Sequence, residues 1–210
     1  FRKRCIELAP ENPSYYSDLA YLYYLNAIEI SLPRGRKGNC ITEIESAIYM
    51  FDKALSIDPT RVKDLYRKGY LLTHVFPKQT LFGGRANESN METRSSKAEE
   101  ARQKGIASFL EVIRLWESLP EGDYKKTRYR SDYLKTLYSL GDTYHDTIFA
   151  KWDETVYALN LRAEVSSKDK PVFYHKDVEK IDQSWDCFYK CWHLTRGDTS
   201  GNDPVLEDVY

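Results

Sequence analysis

An all-α fold is what this 210-residue sequence predicts. Three observations carry the prediction. Small and aromatic residues recur at helical spacing, each run ends at a residue that stops a helix, and the runs return along the chain. The plainest is Ala47, Phe51 and Ala54, which share one helix face, with Pro59 just beyond to close it. Proline removes a backbone donor and clashes with the preceding turn, so a helix does not continue through it unaided.

In chain order, Cys5, Ile6 and Leu8 before Pro10 read as the tail of a helix, matching Ala54, Leu55 and Ile57 before Pro59. Tyr16, Leu19, Ala20 and Tyr23 then set a small residue inside an amphipathic helix over 13–31. Residues 32–40, with two Gly, a Pro and three cations, read as a loop. Thr42 with Glu45 forms a capping box that starts the next helix. Leu65, Gly69 and Leu72 repeat the first pattern over 61–76. Residues 77–96, containing Gly83 and Gly84, read as an insertion, and Ser96 with Glu99 as a second capping box starting a long helix near Lys97. In that helix Ser108, Val112, Leu115 and Pro120 are a looser copy of the small–aromatic run. A linker precedes the cleanest first helix, over 132–150, which holds Leu137, Leu140, Gly141 and Tyr144. Ile148, Trp152, Val156, Leu159 and Ala163 stay in phase with it, predicting an over-long helix or a kinked extra one. Ser184, Phe188 and Cys191, with Arg196 in the stop position, complete the last run.

A Gly inside a helix costs about 1 kcal/mol against Ala, a cost most easily justified where another helix packs too close for a Cβ. Large-x2-Leu-Gly-x2-Tyr, then small-x3-aromatic, then Pro resembles the tetratricopeptide repeat. The resemblance rests on Leu137/Leu140/Gly141/Tyr144, Tyr16/Leu19/Ala20/Tyr23 and Ala47/Phe51/Ala54/Pro59. It implies a right-handed superhelical solenoid of antiparallel helix pairs. The expected domain spans 1–196, as a half-repeat 1–12 and repeats 13–60, 61–120 and 132–196, followed by a polar acidic tail or linker at 197–210. The departure is in the period: the intervals from Pro10 to Pro59, to Pro120 and to Arg196 all exceed the family's roughly 34 residues. Insertions between paired helices account for the excess, and such loops are tolerated at a solenoid's edge.

In that family the first helices line a concave groove, so the resemblance implies binding of a protein partner, as a peptide or helical segment, without catalysis. The face opposite Leu19, Ala20 and Tyr23 carries Ser17, Asp18, Tyr21 and Tyr24. Equivalent positions on the second helix are Lys63, Tyr66, Arg67, Tyr70 and His74, and on the third Lys135, Tyr138, Ser139, Asp142 and His145. The candidate partner-binding set is Asp18, Tyr21, Tyr24, Lys63, Tyr66, Arg67, Tyr70, Lys135, Tyr138 and Asp142. Seventeen tyrosines is an unusual number for this length. Tyrosine offers a large contact area and a polar tip for little rotamer entropy, although the same rings could fill gaps in a superhelix. Lys63 and Arg67 resemble half of the carboxylate clamp of chaperone-docking members. The other half is lacking, since Ser17 and Asp18 stand where it would be.

Composition narrows the classes further. With 31 basic and 32 acidic side chains the chain has no protein-wide field to hold nucleic acid. The longest apolar stretch, 19–30, is too short and polar to span a bilayer, so no membrane insertion is expected. No signal peptide is read at Phe1, and the sequence reads as a piece of something longer. Four scattered cysteines suit a reducing compartment, hence a cytoplasmic location. Cys187 and Cys191 lack a second pair at zinc spacing, so neither a metal nor a cofactor is expected. No histidine sits beside a nucleophile motif. Asn87-Glu88-Ser89 matches a glycosylation pattern by chance. The basic and aromatic residues at 124–130, with Arg34, Arg36 and Lys37, keep RNA binding as an alternative, and a scaffold region of a larger enzyme is another.

Overall fold

The computed structural model describes residues 1–31, 40–82, 91–161 and 175–195, with side chains left out at 30–31, 82, 91–92, 146–161 and 175–178. The loop expected at 32–40, apart from Cys40, the loop at 83–90, the glycosylation pattern and the 197–210 tail lie outside the described residues. Among the described residues the elements are helical and no strand occurs. The chain divides into two compact units, Phe1–Tyr133 and Leu134–Tyr210.

In the first unit α1 (Arg2–Leu8) is short and leads into α2 (Pro13–Ser31). Pro13 fits a helix's first turn, where its missing N–H would be unsatisfied anyway, and Asn12 accepts a hydrogen bond from the Ser14 N–H at 3.0 Å. The next helix, α3 (Ile41–Ile57), packs against α2 and ends before Pro59, as the spacing predicts. Asp58 accepts from the Thr60 N–H and hydroxyl at 3.0 and 2.7 Å, fixing the turn into α4 (Val62–Tyr70). The capping box does not form. The N-cap of α3 is Cys40, with no side-chain cap, and Thr42 lies inside the helix.

Pro77 does not start an insertion. After α4, residues Leu71–Val75 make a wide turn in which the Phe76 N–H reaches back to the Leu71 carbonyl, and α5 (Phe76–Phe82) follows. Widening the helix just before Pro77 moves the preceding carbonyls out of the way of its ring. The helix α6 (Met91–Glu117) likewise starts ahead of Lys97. Glu99 reaches forward to Arg102 and Gln103, at 2.7 Å each, instead of back to Ser96. The Ser96/Glu99 pair is thus a solvent-facing arrangement within a helix and caps nothing. Helices α4 and α5 both pack on α6.

The last long helix, α7 (Tyr124–Leu161), begins where a linker was expected. Gly122, at φ +84°, turns the chain, and Asp123 accepts from the Lys125 N–H at 2.8 Å as the N-cap. Continuation to Leu161 realises the over-long helix that the apolar series predicted. In the second unit, α8 (His175–Thr195) packs on α7 through Ser184, Cys187, Phe188 and Cys191. Among the described residues no helix is long and apolar enough to cross a membrane.

Three helix-pair seams share a plan: two small residues face each other and a Phe closes the gap. In the first, Ala20, Ala47 and Phe51 are fully buried in one cluster. In the second, a Cβ added to Gly69 would stand 2.6 Å from the Phe109 ring, and one added to Gly105 would stand 3.0 Å from the Gly69 carbonyl oxygen. In the third, a Cβ on Gly141 would meet Phe188 at 3.0 Å, and Ser184 donates to the Gly141 carbonyl at 2.9 Å. The middle seam corrects the sequence reading. Its small–aromatic run is Gly105, Phe109 and Val112, three residues earlier than Ser108, Val112 and Leu115. The spurious register came from anchoring on Pro120, which lies past the end of α6.

Candidate functional site

Helices α2 and α4 bring five of the candidate residues together. The rings of Tyr21 and Tyr24 stack at 6.0 Å, Tyr24 lies 6.4 Å from Tyr70, and Tyr70 lies 6.3 Å from Tyr66. The Arg67 guanidinium sits 3.9 Å over the Tyr21 ring, a contact in which the ring's negative face attracts the cation. His74 stacks on Tyr70 at 4.7 Å, extending the row into the wide turn. All these rings are half-buried. Their inner edges lean on the core: Tyr24 and Tyr70 on the cluster around Ala20 and Phe51, Tyr66 on Val62, Leu65 and Val112. Burial pushes the Tyr24 hydroxyl well above its ordinary value, with Tyr66 and Tyr70 adding and Arg67 opposing. The row thus holds one cation, Arg67, against its rings, with the Tyr24 hydroxyl buried among them.

Other candidates fall elsewhere. Asp18 and Lys63 are exposed beside the row. Ser17, expected on the same outward face, is buried and donates to Asp64 at 2.6 Å. Asp64 is itself 1% exposed and takes Arg61 Nε at 2.6 Å, so its charge is paired and it ties α2 to α4. Sequence spacing cannot show such a pair, because its members lie far apart in the chain. In the second unit Ser139 is also buried, and Tyr138 meets Phe188 edge-on at 5.7 Å, placing it against the seam. Lys135 and Asp142 are half-buried on α7, and His145 is exposed.

A second feature was missed. Helices α3, α4 and α6 enclose a groove of about 790 Å³, with Ile48, Leu65, Leu72, Phe76 and Ala101 among its apolar lining. Ion pairs rim it: Asp52 with Lys68 and Glu100 with Lys104, both at 2.6 Å. The lysine hydrogen bond holds the Glu100 carboxyl below its usual range. At 100° per residue, Leu65 and Lys68 point away from Tyr66 and Tyr70, so tyrosine row and groove occupy opposite faces of α4. The available signal was on α6, where Ala101, Ala107 and Ser108 recur at helical spacing and leave room that larger side chains would fill.

The basic run at 124–130 forms the first turns of α7. Lys126 lies 5.0 Å over the Trp116 ring and pairs with Glu121, and Tyr129 packs on Val62 and Val112. Tyr124, Lys125 and Arg128 remain exposed. Among the described residues no group of His, Cys, Asp and Glu has metal-site geometry. Comparison with family models, curated proteins and solved structures finds no match.

Proposed function

We propose that this chain is a non-catalytic interaction module, a tetratricopeptide-like solenoid of antiparallel helix pairs. Its outward face on α2 and α4 takes a peptide or helical segment of a protein partner. One observation carries the reading: four tyrosines and Arg67 form a continuous row, held from behind by the core and open in front. Rings already fixed lose little entropy on binding, and their half-exposed faces offer contact area to an arriving segment. Lys63 and Arg67, one turn apart, add a preference for acidic side chains. Asp18 at the margin opposes a terminal carboxylate, so an internal acidic–aromatic segment fits better than a chain end.

The test is selection of displayed peptides on the full chain, followed by binding to Lys63→Ala/Arg67→Ala and Tyr21→Ala variants. The expected outcome is enrichment of acidic and aromatic peptides whose affinity falls at least about tenfold on each variant. Unchanged affinity on both variants would remove this surface from the function. A salt-dependent affinity for RNA that survives both variants would move the function to the exposed part of 124–130.

A further inference from the structure

Helix α8 carries a second apolar face. Its buried face, Ser184, Cys187, Phe188 and Cys191, is occupied by α7, yet Ile181, Trp185, Tyr189 and Trp192 are 43%, 70%, 53% and 43% exposed. At 100° per residue these four fall within one sector, roughly a third of a turn from the buried face. They are not scattered: Tyr189 and Trp192 lie 6.2 Å apart, with His193 against both. Together they leave on the order of 450 Å² of largely apolar surface, the size of patch that marks an interaction site on a small protein.

The charges beside this stripe are ordered. Glu179, Asp182 and Asp186 flank its first half, and Lys190 and His193 flank its second, all along the same side. Two such helices laid antiparallel about a two-fold axis near residue 188 bring like edges together in reversed order. Each acidic half then faces the other copy's basic half, Trp185 of each packs near Tyr189 and Trp192 of the other, and the helix dipoles oppose. A parallel two-fold pairing would put the charged edges on opposite sides of the seam, where they do not meet. We propose that the occupant of this face is α8 of a second copy of this chain, in an antiparallel two-fold dimer. The stripe alone is about half of the roughly 800 Å² per partner of a standard interface, which makes the dimer a weak, concentration-dependent one. This surface lies in the second unit and is independent of the tyrosine row.

Sedimentation of the full chain tests this from about 0.1 to about 100 µM, where interfaces with modest central anchors dissociate. The expected result is a concentration-dependent shift from one chain to two. Trp185→Glu is expected to weaken the association at least about tenfold while far-UV dichroism is unchanged. Asp182→Lys/Asp186→Lys and Lys190→Glu/His193→Glu are each expected to be monomeric, and an equimolar mixture of the two to recover the dimer. That recovery needs both variants folded, so it separates lost association from lost structure. A chain monomeric throughout would assign the face to another occupant and overturn the proposal. So would a dimer indifferent to Trp185→Glu, or charge variants that fail to pair.

Discussion

The Gly69–Gly105–Phe109 seam in the first unit and the Gly141–Ser184–Phe188 seam in the second solve one packing problem at different separations. In the first, both facing positions are glycine, and the Gly105 site is closed from several sides: a Cβ there would meet Thr73 Cγ2 at 2.5 Å, and the Gly69 carbonyl oxygen and Leu72 Cβ at 3.0 Å each. In the second, one position is a serine whose hydroxyl fits and bonds, and the glycine is bounded only by the edge of a ring. Phe109 is fully buried; Phe188 is half-buried. The same triad can thus close a tight, dry seam or a looser one with a polar tie, and the small residue chosen sets which. A ring edge can yield by a few tenths of an ångström, whereas a backbone carbonyl in a packed helix cannot.

The comparison breaks most sharply at the phenylalanines. Phe109→Ala is expected to cost about 3–5 kcal/mol, the range for emptying an aromatic site in a core. Phe188→Ala should cost at least about 1 kcal/mol less, since part of its ring is already in water. Urea midpoints of the full chain, followed by far-UV dichroism, report both. Equal losses would show that the seams are not differently packed.

Next in size is the polar tie of each unit. Asp64→Ala strips the buried partner from Ser17 and Arg61 and should cost about 2–3 kcal/mol. It stays below the full penalty for breaking a buried pair because Arg61 keeps access to water. Ser184→Ala removes one neutral hydrogen bond to a carbonyl and should cost about 1 kcal/mol. A Ser184→Ala loss as large as that of Asp64→Ala would contradict the view of the second seam as merely supplemented by its bond.

Between these lies a test in which even the sign can differ. Gly→Ala inside a helix gains about 1 kcal/mol of propensity before any clash. At Gly105 the clash should exceed it and leave a net loss of about 1–2 kcal/mol, in the range for overpacking. At Gly141 the two effects should nearly cancel, leaving the midpoint within about 0.5 kcal/mol of the parent. Destabilisation of both by the same amount would mean that Phe188 is as rigidly held as Phe109.

The contrast also explains what could be read from the residues alone. Ala20, Phe51, Gly141 and Phe188 were legible because each local run is intact, and the all-α class followed from them. The middle seam was misplaced because Ser108 and Val112 mimic the run, and because a proline after a helix is weaker evidence than a glycine within one. The tyrosine row was legible as a face, since one helix period places Tyr66 and Tyr70 together. Ser17 on that face was not, because what buries it is Asp64, and pairings across helices leave no periodic trace. Pro77 and the two false capping boxes show the same limit: a local signal names what a residue can do, and the neighbouring helix decides.

The last expected effect is absent at neutral pH and grows only in alkali. Burial pushes the Cys187 thiol up to about 11, with Asp186 and Cys191 adding and Lys190 opposing. The folded unit therefore keeps a proton that the unfolded chain releases in the ordinary thiol range near 9. Below that range both states are protonated and Cys187 adds no pH dependence. As pH rises from about 9 to about 11 the unfolded state alone ionises, and stability falls by up to about 1.4 kcal/mol per pH unit. Tyr144, whose hydroxyl is raised by burial and by this same thiol, contributes in the same direction. Cys187→Ala should shift stability by a constant amount up to pH 9 and then decline less steeply, keeping the slope that Tyr144 and the buried Tyr24 and Cys40 contribute. Urea midpoints for parent and variant between pH 7 and pH 11 decide it. Parallel curves across that window would mean that water reaches the thiol, and that the second seam is looser than its geometry implies.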